Sequence, residues 1–234
     1  MWHVLKRHAS SGTSWKIDCF VLSGCSADRA CMRIETELKF PVNDLGAVME
    51  RLRQISTDHT PWYFEHNIIL DDDKSTLKKQ DILLRLRVGL NNKLTLKLPL
   101  EDKRSGLAKK RQEFEATLDN IKEVESIFSC LGFGAWLRYE KCRQVWKLDR
   151  VKICLDVLPF GRFVEVEGPE EFIIEAAFQL GLDLSRATAK TYHELNRDYI
   201  AQKHLEPSDD FVFEPLELKA VAKELGISMN ILKE

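Results

Sequence analysis

The chain has 234 residues, 44% of them hydrophobic, enough for one large domain or two small ones around a sizeable core. Its 35 basic and 37 acidic residues nearly cancel to a formal charge of −2, which argues against duplex nucleic acid or an anionic membrane as a partner. No apolar run approaches the roughly 18 residues of a membrane-spanning helix, so a soluble, cytoplasmic protein without membrane association is expected.

Residues 1–32 are expected to form a disordered leader. Within them "VLSGC" (21–25) is similar to a bacterial lipobox, but Asp18 interrupts the preceding apolar stretch, which is shorter than the usual h-region of about 7 to 15 residues. Lipidation is therefore not expected. From residue 33 a period of two takes over: "RIETELKF" puts Arg33, Glu35, Glu37 and Lys39 on one face and Ile34, Thr36, Leu38 and Phe40 on the other. Asn43 or Asp44 can cap a helix to about Ile55. "WYFEHNIIL" (62–70) predicts a second strand, and "DDDKST" turns out of it.

The alternation then returns. "ILLRLRV" (82–88) aligns Arg85 with Arg87, and "KLTLKL" (93–98) aligns Lys93, Thr95 and Lys97, with Asn91 and Asn92 suited to the hairpin between them. A lysine-rich loop with Gly106 leads to "KRQEFEATL" (110–118), where Arg111, Glu113 and Glu115 share a face. A helix over about 120–131 ends at Gly132. Strands follow at 136–148, with Lys141 and Arg143 in phase, and at 151–158, with Lys152, Cys154 and Asp156 in phase. Then "RFVEVEG" aligns Glu165 with Glu167. Helices are predicted over about 170–181, 188–204 and, after a break, from Leu216 to Lys233. The division is thus a leader (1–32), a core domain (33–205), and a linker with an amphipathic helix (206–234).

One charged strand face implies only a wet sheet, since cross-strand ion pairs at a surface are worth about 0–1 kcal/mol and need no ligand. Repeated R-x-R and three E-x-E pairs ("ETE", "EFE", "EVE") suggest more. If the sheet closes into a barrel, the apolar faces can meet outer helices while the charged faces line a tunnel. The fold class expected is therefore α+β, a closed antiparallel β-barrel with helices packed outside. Carboxylates two apart on a strand lie roughly 6 to 7 Å apart, and pairs from facing strands can converge on Mg²⁺ or Mn²⁺. Lining arginines and lysines cost several kcal/mol if buried unpaired, so they call for carboxylates or a multiply charged anion. A triphosphate bridged to metal ions meets both demands.

The ordered series resembles the CYTH, or triphosphate tunnel metalloenzyme, superfamily, which includes class IV adenylyl cyclases, thiamine triphosphatases, inorganic triphosphatases and fungal RNA triphosphatases. "ETELK" matches its ExExK signature through Glu35, Glu37 and Lys39, and the matches continue through Arg85 and Arg87, Lys97, Arg111-x-Glu113-x-Glu115, Lys141-x-Arg143, Asp156, Glu165-x-Glu167 and "KTYHEL" with Lys190 and Tyr192. The resemblance implies catalysis centred on Glu35, Glu37 and Lys39. It implies one or two Mg²⁺ or Mn²⁺ ions on Glu35, Glu37, Glu113 or Glu115, Asp156, Glu165 and Glu167. It further implies triphosphate binding by Lys39, Arg85, Arg87, Lys97, Arg111, Lys141, Arg143 and Lys190.

Departures bear on the reaction. The "HF" of enterobacterial class IV cyclases is replaced by Arg29 and Ala30, the common "KGP" by "KLP", and an acid of the second strand by Asn67. Metal-dependent triphosphate hydrolysis is therefore expected, with cyclisation of ATP to cyclic AMP and pyrophosphate as the alternative, and a polyphosphate- or nucleotide-binding module as a third reading. The sequence leaves a homodimer open.

The six cysteines (Cys19, Cys25, Cys31, Cys130, Cys142, Cys154) form no C-x-x-C pair and no zinc-type spacing with histidines, so reduced thiols are expected. His59, His66 and His193 read as satisfied surface or rim residues, and Trp62, Trp136 and Trp146 as outer-barrel packing. In the last helix Leu216, Ala220, Lys223, Glu224 and Ile227 recur at helical spacing, which suggests a docked cap able to close one tunnel mouth.

Overall fold

The inward and outward faces separated by the period of two become the two sides of a closed ring. The computed structural model describes residues 33–100 and 108–228. The chain forms β1 (Arg33–Val42), α1 (Gly46–Ile55), β2 (Tyr63–Asp71), α2 (Thr76–Lys79), β3 (Leu83–Val88), β4 (Lys93–Pro99), β5 (Lys109–Thr117) and α3 (Ile121–Cys130). It continues through β6 (Gly134–Leu148), β7 (Val151–Leu158), β8 (Gly161–Glu167), α4 (Glu170–Gln179), a 3-10 turn (Leu184–Arg186), α5 (Tyr192–Lys203) and α6 (Pro215–Leu225). The eight strands close in the order β1-β5-β4-β3-β2-β6-β7-β8, with every pairing antiparallel. This is the barrel expected of the alternation. Closure leaves no free sheet edge for another strand to join.

The register brings the charged residues to common levels inside the ring: Glu35 opposite Arg111, Lys39 opposite Glu165, and Arg143 opposite Asp156. Outside, Leu38 and Phe40 of β1, Ile153 and Leu155 of β7, and Val164 and Val166 of β8 form one core with Leu52 of α1, Ile173 and Ala177 of α4, and Ala222 of α6. A second cluster joins Leu84 and Leu86 to the inner face of α3. Fully burying each such leucine, isoleucine, valine or phenylalanine contributes about 1.5–3 kcal/mol, so the outer face carries most of the stability. A third cluster lies at the end of the ring where α5 sits, with Ile69, Leu137 and Phe163 meeting Tyr192 and Phe211.

Several elements differ from the sequence reading. Helix α1 begins at Gly46 with Leu45 at its N-cap, although Asp44 Oδ1 still accepts the Gly46 N–H at 2.8 Å. The short α2 lies where only a turn was expected; Asp71 and Asp72 carboxylates accept the backbone N–H groups of Leu77, Lys78 and Thr76, satisfying its first turn. Helix α5 starts later than predicted. Thr188 instead exchanges two 2.9 Å backbone hydrogen bonds with Lys39, and Thr191 then makes a capping box with Glu194.

Helix α6 ends at Gly226, whose φ of +69° suits glycine. Its buried stripe runs through Leu218, Val221, Ala222 and Leu225 against the outer wall, leaving Leu216 80% exposed. No residue of α6 lines the interior, whereas α5 stands at a mouth; residues 229–233 of the predicted helix lie outside the described residues. The leader, its three cysteines and the Gly106 loop lie outside the described residues. Cys130, Cys142 and Cys154 are free thiols. No helix among the described residues is long and apolar enough to cross a membrane.

Candidate active site

The ring encloses a cavity of about 380 Å³ lined by Glu35, Glu37, Lys39, Arg85, Arg87, Lys97, Arg111, Glu113, Glu115, Lys141, Arg143, Glu165 and Glu167. Thus all but two of the residues singled out from sequence face one space. Asp156 lies directly behind it, fully buried. Lys190 does not reach it: the side chain is exposed and donates to Asp198 at 2.6 Å, because the segment before α5 runs along β1 and turns Lys190 outward.

The interior charges interlock. Lys39, only 3% exposed, lies 2.6 Å from Glu37 and 3.2 Å from Glu165. Burial opposes its charge, but those two carboxylates outweigh burial and hold the amine well above its ordinary pKa. Arg143 forks onto Asp156 through two 2.6 Å hydrogen bonds and reaches Glu165 at 2.9 Å, while Tyr192 donates to Asp156 at 2.6 Å. Both Asp156 oxygens are thereby engaged, and the carboxylate fixes Arg143 from behind. Lys97 pairs with Glu35 and lies 3.4 Å from Glu113, Lys93 lies 2.8 Å from Glu115, Lys152 pairs with Glu167, and Arg111 with Asp81.

Arg85 is the most deeply buried of the cations that line the cavity without an ion pair among the described residues. It is 7% exposed, and its guanidinium donates to the Tyr139 hydroxyl at 2.8 Å and, weakly, to Thr95 at 3.4 Å. Its Nε–H has no partner, and no carboxylate among the described residues lies within ion-pair distance. A buried cation with an idle donor calls for an anion.

The carboxylates fit a divalent cation. Glu37 faces Glu167 across β1 and β8, and ligand atoms of Glu165, Glu167 and Cys154 lie within 4.8 Å of one another. Burial pushes the Glu167 carboxyl up to about 7 against the pull of Lys152, helped by the adjacent Glu165 and Glu35 charges. Burial opposes the charge of Glu165 too, but Lys39, Arg143 and Lys141 keep it well below the usual range. Clustered hard oxygens that crowd one another's charge suit Mg²⁺ or Mn²⁺. Of Glu113 and Glu115, both face the cavity, and neither is singled out by geometry.

Other participants carried weaker sequence signals. Glu65 and Asn67 of β2 face inward and are fully buried, in a run whose aromatic and branched residues obscure the alternation. Trp136 packs against the cluster at α5, as expected, and also lines the mouth there, with Lys78 Nζ 3.9 Å from its ring. The cause is an irregularity between Ile69 and Leu70 that lets consecutive Trp136 and Leu137 both face the cavity. Trp146 packs in the outer core as expected, and Trp62 packs against it. His193 also lines the mouth, but its Nδ1 is buried without a partner, so it is not the satisfied rim residue expected. His66 meets Glu140 at 3.0 Å, and His59 stacks on Trp146.

Comparisons with known proteins agree with this architecture. A Methanocaldococcus jannaschii protein described as a "putative adenylate cyclase" is 28% identical over 136 residues, 57% of this chain and 76% of that protein. A solved Vibrio parahaemolyticus structure of the same description superposes with a TM-score of 0.63 at 20% identity, covering 70% of this chain and 98% of that one. A Hippeastrum structure described as a "putative adenylyl cyclase" with "a dominant" triphosphatase activity gives 0.51 at 16% identity, covering 76% of this chain and 99% of that one. The CYTH domain model matches residues 33–195, and the chain belongs to the CYTH domain family.

Proposed function

We propose that the tunnel hydrolyses a triphosphate substrate, inorganic or carried by thiamine or a nucleoside, with Mg²⁺ or Mn²⁺. The observation that carries this reading is Arg85, a deeply buried guanidinium with no carboxylate partner among the described residues, in a cavity where most of the lining charges are paired. A phosphate accepting from its Nε–H would complete the hydrogen bonding that Tyr139 and Thr95 begin. Arg87, Lys97, Arg111 and Lys141 face the same space and would bind the remaining phosphate oxygens. Arg143, held rigid by Asp156 and Tyr192, is a preorganised donor, which costs no reorganisation when charge develops on phosphate.

Glu35, Glu37, Glu165 and Glu167, with Glu113 or Glu115, would hold the metal, which when bound neutralises phosphate charge and orients the attacking oxygen. Lys39 bridges Glu37 and Glu165 and so positions two of these carboxylates. A cyclase is the second reading, supported by the description of the M. jannaschii relative. The free thiols support a reducing, cytoplasmic setting.

The test is ³¹P NMR of the protein with Mg²⁺ or Mn²⁺ and, separately, tripolyphosphate, thiamine triphosphate and ATP. Inorganic phosphate with a diphosphate product is expected; cyclic AMP with pyrophosphate would replace hydrolysis by cyclisation, and binding without turnover would reduce the protein to a sensor. Glu35→Ala and Glu37→Ala should each abolish metal-dependent turnover with the fold intact. Wild-type rates in both would refute the tunnel reading.

A further inference from the structure

Glu65 is the tunnel's anomaly. It is 0% exposed, and neither carboxylate oxygen has a hydrogen bond among the described residues. It lies 3.6 Å from Arg87 Nε and 3.6 Å from Lys141 Nζ, two cations that face the cavity. Burial opposes its charge, but Arg87, Lys141, Arg143 and Arg85 keep it ionised. A carboxylate held this way contributes little to packing and leaves two acceptor oxygens idle, which costs stability unless it serves the site.

The geometry points to Glu65 as a resident counter-anion that limits how tightly the tunnel holds phosphate, an affinity-setting residue for the site proposed above. Any phosphate that Arg87 and Lys141 bind must share them with a fixed negative charge one side chain away. That charge lowers the affinity for every anion in the tunnel, substrate and product alike, and so favours release of a hydrolysed product whose charge no longer spans the cavity. A purely structural Glu65 predicts the opposite sign. Neutralising it would then loosen Arg87 and Lys141 and weaken anion binding.

The inference rests on the polyphosphate reading, and the experiment separates the two. Tripolyphosphate is titrated calorimetrically, in EDTA so that no metal-dependent turnover intervenes, into wild type, Glu65→Gln and Glu65→Asp. Glu65→Gln should bind about tenfold tighter or more, and Glu65→Asp, which keeps the charge, within about threefold of wild type. Pyrophosphate should follow the same order. A folded Glu65→Gln protein with unchanged or weaker binding would overturn the inference while leaving the polyphosphate reading standing. No saturable binding by wild type would overturn the inference, while the polyphosphate reading, which includes a metal, stands or falls by the ³¹P experiment. If Glu65→Gln does not fold alone, the comparison is made between Lys141→Gln and Glu65→Gln/Lys141→Gln, whose charge balance is restored. The double variant must then bind tighter than the single one, and equal binding overturns the inference.

Discussion

Arg85 and Lys190 make opposite demands on experiment. Removing a buried cation that has no carboxylate partner relieves a desolvation cost, so Arg85→Met should leave thermal stability unchanged or raise it, while weakening tripolyphosphate binding by about 2–5 kcal/mol. A melting curve and a calorimetric titration on the same sample test both halves, and a stable variant with full affinity would remove Arg85 as the anchor. Lys190 is exposed and paired with Asp198, so Lys190→Ala should keep kcat/KM within about threefold of wild type. A much larger loss would return Lys190 to the phosphate-binding set that the sequence pattern suggested. The same contrast shows what sequence spacing reads well. Residues on regular strands, such as Glu35 and Glu37, inherit their direction from the pleat, whereas Lys190 follows a bridge between Thr188 and Lys39 and precedes a helix cap, so nothing local dictates where it points.

Among the elements, α5 has the most specific consequence. It sets His193 at the tunnel mouth, edge-on to Tyr139 and beside Phe211, with Nδ1 buried and unpartnered. Burial, with Arg85 nearby, lowers the imidazole pKa to about 4, below its usual 6.5. The unfolded chain therefore binds a proton at a higher pH than the folded one. The neutral imidazole's contribution is fully present above about pH 6.5 and is lost as the pH falls towards 4, a change on the order of 2 kcal/mol after allowance for partial exposure. Glu167, whose folded pKa is raised, acts with the opposite sign, so the difference between variants is the informative quantity. His193→Phe, which keeps the ring contacts and does not titrate, should flatten the loss of melting temperature between pH 6.5 and 4.5 relative to wild type. Parallel curves would mean the ring is solvated and uninvolved. Elements with long periodic sequence were predictable within a few residues; α2, four residues long, was not, because Asp71 and Asp72 caps rather than an apolar period create it.

At the scale of the whole molecule, the barrel is a box of opposed charges balanced to within a few protons. If Glu167 is one of the proposed metal ligands, metal binding displaces the proton it carries below about pH 7. Mn²⁺ affinity should therefore climb about tenfold per pH unit up to that point and level off above it. Titrations followed by electron paramagnetic resonance between pH 5.5 and 8 measure this, and a flat profile would exclude Glu167 from the metal site. The closed ring and its inner face were legible because one period wrote both the outer core and the charged lining. Glu65 and Trp136 escaped because an aromatic run and a strand irregularity hid their phase.

That shared period has a further effect. Leu38 serves packing while its neighbours Glu37 and Lys39 serve the lumen, and the same division recurs at Val166 between Glu165 and Glu167. Folding and chemistry are thus written on alternate letters of the same words. A lineage could rewrite one set with little trespass on the other, drifting between substrates while the barrel beneath them stays the same.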